Sequence, residues 1–153
     1  MSHELEEKTL LSNKRALHEY FILNTIEAGI VLQGTEVKSL RQSKANFLDA
    51  YVDFIDGEPY LINMHISEFD HGNIFNHEEK RKRKLLLNKS EIRKLKSKVK
   101  EKGLTLIPVR VYLVKGKIKI EVAVARGKKS FDKRATIAEK DAKREIERKI
   151  KVH

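Results

Sequence analysis

The chain contains no cysteine, which excludes disulfides, thiolate metal sites and cysteine nucleophiles. No apolar run approaches the ~20 residues that span a bilayer. The amino terminus, Met1-Ser2-His3-Glu4-Leu5-Glu6-Glu7, is acidic and polar, the wrong character for a secretory signal. A cytoplasmic protein with no membrane partner is expected. Gly34 and Gly103 stand alone, so no glycine-rich loop is available to cradle a phosphate. No nucleophile-elbow pattern supports Ser-His-Asp catalysis.

What the chain does hold is positive charge. Its 153 residues carry 33 Lys and Arg against 22 Asp and Glu, a net charge of +11. That excess points to a polyanion as partner, and by charge alone RNA, DNA and an anionic membrane all fit. With 40% hydrophobic and 36% charged residues, a modest core is affordable while much of the chain stays wet. One domain with an appendage suits this length.

The apolar patterning reads mainly as strands. Tyr20 to Leu32 is a long apolar, β-branched run interrupted at Glu27-Ala28-Gly29, which predicts one strand with a bend or bulge at the glycine. Thr35 is placed to cap a short helix from Glu36 to about Ser43. Ala50–Ile55 and Pro59–Ile66 flank Asp56-Gly57, a hairpin signal. Residues 67–79 read as a surface loop. Ser90 is placed to cap a helix that Gly103 stops near Lys102, with Ile92, Leu95 and Val99 on its inner face. Leu104–Val114 and Lys117–Ala125 predict a second hairpin around Lys115-Gly116. In its second strand Ile118, Ile120, Val122 and Val124 alternate with Lys117, Lys119, Glu121 and Ala123, giving one buried face and one wet face. About five strands with two short helices suit an oligonucleotide-binding (OB)-type β-barrel. Residues 1–12 read as a flexible arm, 13–127 as the barrel, and 128–153 as a basic tail. In that tail Thr136 and Glu139 form a capping box over a thin stripe of Ala135, Ala138, Ala142, Ile146 and Ile150.

Two cation clusters qualify as nucleic-acid contacts. One is the five-residue run Lys80–Lys84. The other spans Gly127 to Arg134, where Lys128, Lys129, Lys133 and Arg134 surround Phe131. Phosphate contacts would supply affinity and salt dependence, with Phe131, His18 and Tyr20 as candidates for stacking on bases. Glu36-Val37-Lys38 has the Glu-x-Lys form found in metal-dependent nucleases, but it falls at a helix start with no clear acidic partner; a Glu favouring the positive end of the helix dipole is preferred. His65, His71 and His77 recur too widely for a zinc site, so no metal and no cofactor are expected.

The ordered segments Asn13-Lys14-Arg15-Ala16, His18-Glu19-Tyr20-Phe21-Ile22, Glu27-Ala28-Gly29-Ile30 and Gly34-Thr35-Glu36-Val37-Lys38-Ser39-Leu40-Arg41 form one pattern. It continues through Lys44-Ala45-Asn46, Asp49-Ala50-Tyr51, Arg83-Lys84-Leu85-Leu86-Leu87-Asn88, Ala125-Arg126-Gly127-Lys128-Lys129 and Asp132-Lys133-Arg134. This closely resembles the bacterial SsrA-binding protein family, SmpB, over about residues 12–150. The resemblance implies an OB-type barrel, no enzyme activity, and binding to the tRNA-like domain of transfer-messenger RNA for trans-translation on stalled ribosomes. It implies RNA contacts at Asn13, His18, Tyr20, Glu27, Lys84, Leu86 and Asn88. It also implies a tail that becomes helical in the empty message channel near the small-subunit decoding centre and its ribosomal RNA, through Lys128, Lys129, Phe131, Asp132, Lys133 and Arg134. The elongation factor that carries aminoacyl-tRNA is an implied, indirect companion, and a monomer is expected. Other readings of the composition are a basic ribosomal protein and a metal-dependent nuclease. Two positions depart from the family pattern: Ser43 stands near a usual glycine, which suggests a different turn, and Phe131 replaces a tyrosine or histidine.

Overall fold

The structure is a computed structural model that describes residues 7–70 and 76–128. Its elements are β1 (Glu7–Ser12), α1 (Lys14–Glu19), β2 (Tyr20–Ile30), α2 (Gly34–Arg41), β3 (Ala45–Asn46), β4 (Tyr51–Ile55), β5 (Glu58–Ile62), β6 (His65–Ile66), β7 (Arg83–Leu86), α3 (Lys89–Val99), β8 (Leu104–Val114) and β9 (Lys117–Gly127). Every strand pairing is antiparallel. The main sheet runs β1-β8-β4-β5-β7-β2-β9, and β8 also pairs with β9. That last pairing closes the sheet into the barrel expected of an OB-type fold and leaves no open seam between β8 and β9. Among the described residues no helix is long and apolar enough to cross a membrane.

Both predicted hairpins form. Asp56 and Gly57 have φ of 51° and 82°, and Lys115 and Gly116 have 50° and 74°. Two successive positive φ values are the mark of a type I′ turn, whose twist matches that of the strands it joins. The core gathers Leu61, Met64, Ile66, Leu85, Val111, Ile120 and Val122, all at most 1% exposed. Each such side chain contributes roughly 1.5–3 kcal/mol by leaving water.

Several local expectations give way to tertiary contacts. The expected loose arm is, over residues 7–12, the strand β1, in register with Arg110–Val114 of β8; residues 1–6 lie outside the described residues. The irregularity of β2 falls between Ile22 and Asn24, not at Gly29. Gly29 instead makes room: a Cβ there would lie 3.1 Å from Leu86 Cβ. Helix α2 begins two residues early, behind Gln33, whose N–H donates to Glu36 Oε1 at 2.8 Å. Thr35, the expected cap, hydrogen-bonds through Oγ1 to His77 Nδ1 at 2.9 Å. Helix α3 is capped by Asn88, not Ser90. The strand after Asp56-Gly57 ends at Ile62, and His65–Ile66 pairs separately with β3.

The face of β9 expected to be wet is buried at one end. Ala123 and Ala125 are fully buried, packing with Ala16 of α1 and Ile107 of β8. A short helix laid on the outside of the barrel turns that stretch of outer surface into a second, smaller core. Its side chains are small because helix and sheet approach closely there.

The end of α2 answers the question of Ser43. Ser43 N–H donates to Leu40 O and Lys44 N–H to Ser39 O, both at 3.0 Å, with Ser43 at φ 58°. This is the Schellman closure that glycine favours. The chain makes the left-handed turn with serine in place of the smaller residue, and no different turn is needed.

Candidate RNA interface

Strand alternation gathers one group of the expected RNA-binding residues. Gly29 of β2 pairs with Leu86 of β7, and Ile30 with Leu85. Leu85 and Arg83 are buried, whereas Lys84 and Leu86 are exposed. Because side chains alternate, Glu27 and Gly29 on β2 share the outer face with Lys84 and Leu86 on β7. Asn88 follows two residues after Leu86, exposed at the start of α3. Leu86 is 54% exposed, unusual for a leucine flanked by core, and the absent side chain of Gly29 gives it a seat. A carboxylate, a cation and an apolar surface thus share one face, with the Asn88 amide two residues beyond Leu86.

Glu27 is held in place by a buried tyrosine. Tyr112 of β8 is 2% exposed, and its hydroxyl donates to Glu27 Oε2 at 2.5 Å. Burial, the hydrogen bond to Glu27 and that carboxylate's charge push the phenol well above its usual range. Tyr112 therefore stays a neutral donor and fixes one carboxylate oxygen. The Arg110 guanidinium lies 4.0 Å above the Tyr112 ring centre and pairs with Glu121 at 2.9 Å and Glu7 at 2.8 Å. This cluster orients Glu27 while leaving the carboxylate exposed, so it can accept from base or sugar donors.

Asn88 has a structural duty as well. Its Oδ1 accepts from Glu91 N–H at 2.9 Å and Ser90 Oγ–H at 2.8 Å, and Glu91 Oε1 accepts from Asn88 N–H at 3.1 Å. This reciprocal capping box fixes the start of α3. The amide Nδ2 has no partner among the described residues, which leaves its two donors for a ligand.

The remaining candidates lie apart from that group. Asn13 caps α1: Oδ1 accepts from Ala16 N–H at 3.3 Å and Nδ2 donates to Pro108 O at 2.8 Å. With both ends of its carboxamide engaged, Asn13 positions α1. His18 is exposed on that helix, and Tyr20 is half-buried where β2 begins. Lys128, the last described residue, donates to Leu17 O at 3.3 Å and lies 5.0 Å from the Phe21 ring centre. Lys129, Phe131, Asp132, Lys133, Arg134 and the Thr136–Glu139 capping box lie outside the described residues.

The Lys80–Lys84 run divides by side. Lys80, Lys82 and Lys84 are exposed. Arg83 is fully buried: Nε donates to Glu36 Oε2 at 2.5 Å, Nη1 to Met64 O at 2.6 Å and Nη2 to Glu79 O at 3.1 Å. Arg81 Nη2 donates to Glu36 Oε1 at 2.6 Å and to Val31 O at 3.2 Å. Burial alone would raise the Glu36 pKa, but hydrogen bonds from Arg81 and the Gln33 backbone, with the charge of Arg83, hold it below the usual carboxylate value. Glu36 is thus not a solvated helix-start charge, and being fully buried it cannot meet a metal-bound substrate; the nuclease reading fails on that point. Sequence reasoning missed this triad because its members are far apart in the chain. It also missed Tyr112, which reads as an ordinary strand aromatic.

His77 is also structural. Its Nε2–H donates to Ile66 O at 2.8 Å, and Nδ1 shares a hydrogen bond with Thr35 Oγ1 at 2.9 Å. This bond pair ties the end of the 67–79 loop to α2.

The family model described as "SmpB protein" matches residues 10–152. This chain belongs to the SmpB family. Two relatives named SsrA-binding protein illustrate the likeness. The protein of Desulforudis audaxviator is 58% identical over 142 residues, covering 93% of each chain. That of Protochlamydia amoebophila is 55% identical over the same length and coverage. A solved structure described as tmRNA-SmpB in the bacterial ribosome superposes with a TM-score of 0.66 at 50% identity, covering 77% of this chain and 83% of that one. The SmpB-family barrel here carries its exposed carboxylate and leucine at β2 and β7, and β9 ends at Gly127, paired with Tyr20 at the opposite end of β2.

Proposed function

We propose that this chain is a non-enzymatic RNA-binding factor that captures the tRNA-like domain of transfer-messenger RNA and delivers it to stalled ribosomes for trans-translation. The observation that carries this reading is the shared outer face of Glu27, Lys84 and Leu86, with Asn88 exposed two residues beyond Leu86 and Glu27 oriented by a buried tyrosine. Donors of a base or ribose meet the carboxylate, the amide Nδ2 meets acceptors, Leu86 meets a base face, and Lys84 meets phosphate. Family membership and the tmRNA and ribosome named with the solved relative support it. The tail, from Lys128 onward, acts on the ribosome: an RNA-lined channel without message would admit a cationic segment that an occupied channel excludes. The protein works in the cytoplasm as a monomer, with the aminoacyl-tRNA elongation factor as an indirect companion.

The test separates capture from rescue. Glu27→Arg should weaken binding of a tRNA-like RNA by about 10–100-fold, the scale of a lost charge-assisted hydrogen bond. Truncation after Gly127 should leave that affinity nearly intact and abolish tagging in a reconstituted translation assay. Affinity of the intact chain should fall with salt at a log–log slope of about −3 to −5, for ~4–6 phosphate contacts. Loss of RNA affinity on truncation would overturn the division of labour, and a flat salt response would reject phosphate-led recognition.

A further inference from the structure

A second site lies on the other side of β2. Between β2 and α3 runs a groove of about 380 Å³, with Ile26, Leu95 and Val124 as apolar lining and Asn24, Lys94 and Lys98 among its polar residues. Its volume lies at the lower end of the range for small-molecule pockets. Asn24 pairs with Val124 and Ile26 with Val122, both valines belonging to the core. Asn24 and Ile26 therefore stand on the opposite face of the strand from Glu27.

The polar residues are unusual for such a place. Asn24 follows the irregularity in β2 between Ile22 and Asn24, the kind of feature that re-aims a side chain. It is exposed, and its carboxamide has no hydrogen-bond partner among the described residues. A residue there that served packing alone would be apolar and extend the lining. Lys94 and Lys98 are one turn apart on α3, so their stems are neighbours. Lys94 has no acidic partner among the described residues, and Lys98 has only a long, exposed contact with Glu101 at 3.4 Å. Two available cations, an exposed amide with no partner among the described residues and an apolar lining match the chemistry of a nucleotide: phosphate, base edge and base face.

We infer that this groove takes one unstacked adenine nucleotide of an RNA strand. The base lies against Ile26, Leu95 and Val124. The Asn24 carboxamide spans an amino donor and the adjacent ring-nitrogen acceptor, the pairing that suits an amide to adenine, and single-stranded RNA presents such edges. Lys94 and Lys98 hold the flanking phosphates. This inference rests on the reading of the chain as an RNA-binding protein. It adds a base-selective contact remote from the Glu27 face, so one barrel can hold two RNA segments on opposite sides of one strand.

The experiment titrates the isotopically labelled full chain with the RNA hexamers A6, U6 and C6, following amide shifts by NMR and affinity by fluorescence. A6 should bind about 5–100-fold tighter than U6 or C6, the discrimination of one bidentate amide–adenine pair, with shifts centred on Asn24 and Lys98. Asn24→Ala should remove the preference, and Lys94→Gln with Lys98→Gln should weaken all three hexamers alike. Equal affinity for the three hexamers, shifts confined to Lys84–Asn88, or an unchanged preference in Asn24→Ala would overturn the groove. Parallel binding of the tRNA-like RNA to intact chain and Glu27→Arg distinguishes the two readings. If that RNA binds in a Glu27-dependent way while A6 misses the groove, only the groove falls. If the tRNA-like RNA does not bind at all, the proposed function falls, and A6 selectivity at Asn24 still upholds the groove.

Discussion

Replacing Glu36 by glutamine removes one charge from the interior and leaves Arg83 fully buried without its counter-ion. Breaking a buried ion pair by deleting one partner costs about 3–5 kcal/mol. The low end applies here. Arg83 keeps its bonds to Met64 O and Glu79 O, and Arg81, 27% exposed, can turn toward water. The expected loss is about 3 kcal/mol. In urea, with a slope of about 1.5–2 kcal/mol/M, the midpoint at pH 7 should fall by roughly 1.5–2 M. The pH dependence follows from the carboxylate. Because the folded pKa of Glu36 lies below its ordinary value of 4.5, its stabilisation is fully present above that value. It is lost as pH falls through the folded pKa, because the unfolded chain binds the proton more readily. The gap between the native chain and Glu36→Gln should therefore shrink in acid below pH 4.5. A loss under about 1 kcal/mol at pH 7, or a gap unchanged down to pH 3, would refute the reasoning.

Asn88→Ala should cost about 1 kcal/mol in stability by removing the α3 cap and should also weaken the tRNA-like RNA. Asn88→Ser keeps a capping oxygen but no amide donor, so thermal unfolding should stay near that of the native chain while RNA affinity still falls. Ser43→Gly should stabilise by about 0.5–1 kcal/mol, measured by chemical denaturation, since glycine takes the left-handed turn without a Cβ clash.

Strands were readable where period and turn chemistry agreed. Ile118 to Val124 alternates and is joined to β8 by Lys115-Gly116, and both signals are local. The same alternation misled at Ala123, because whether a small residue faces water depends on α1, more than a hundred residues earlier in the chain. Residues 7–12 read as an arm since six residues with only Leu10 and Leu11 apolar carry little periodicity; what orders them is pairing with β8. The α3 cap was missed by two residues, Asn88 and Ser90 both being good capping types. Within Lys80–Lys84 composition gives five equal cations, and only the pleat of β7 and the distant Glu36 separate the buried Arg83 and the half-buried Arg81 from the exposed lysines. Glu27, Leu86 and Asn88 were named through family resemblance; pairing of β2 with β7 puts Glu27 and Leu86 on one face, and its hydrogen bonds set Asn13 apart as a cap.

Lys128 is pinned to the Leu17 carbonyl and the Phe21 ring at the edge of the barrel. The end of β9 is thus held twice, by the pairing of Gly127 with Tyr20 and by this pin on α1. A variant that loosened the pin would free the end of that strand without touching the Glu27 face.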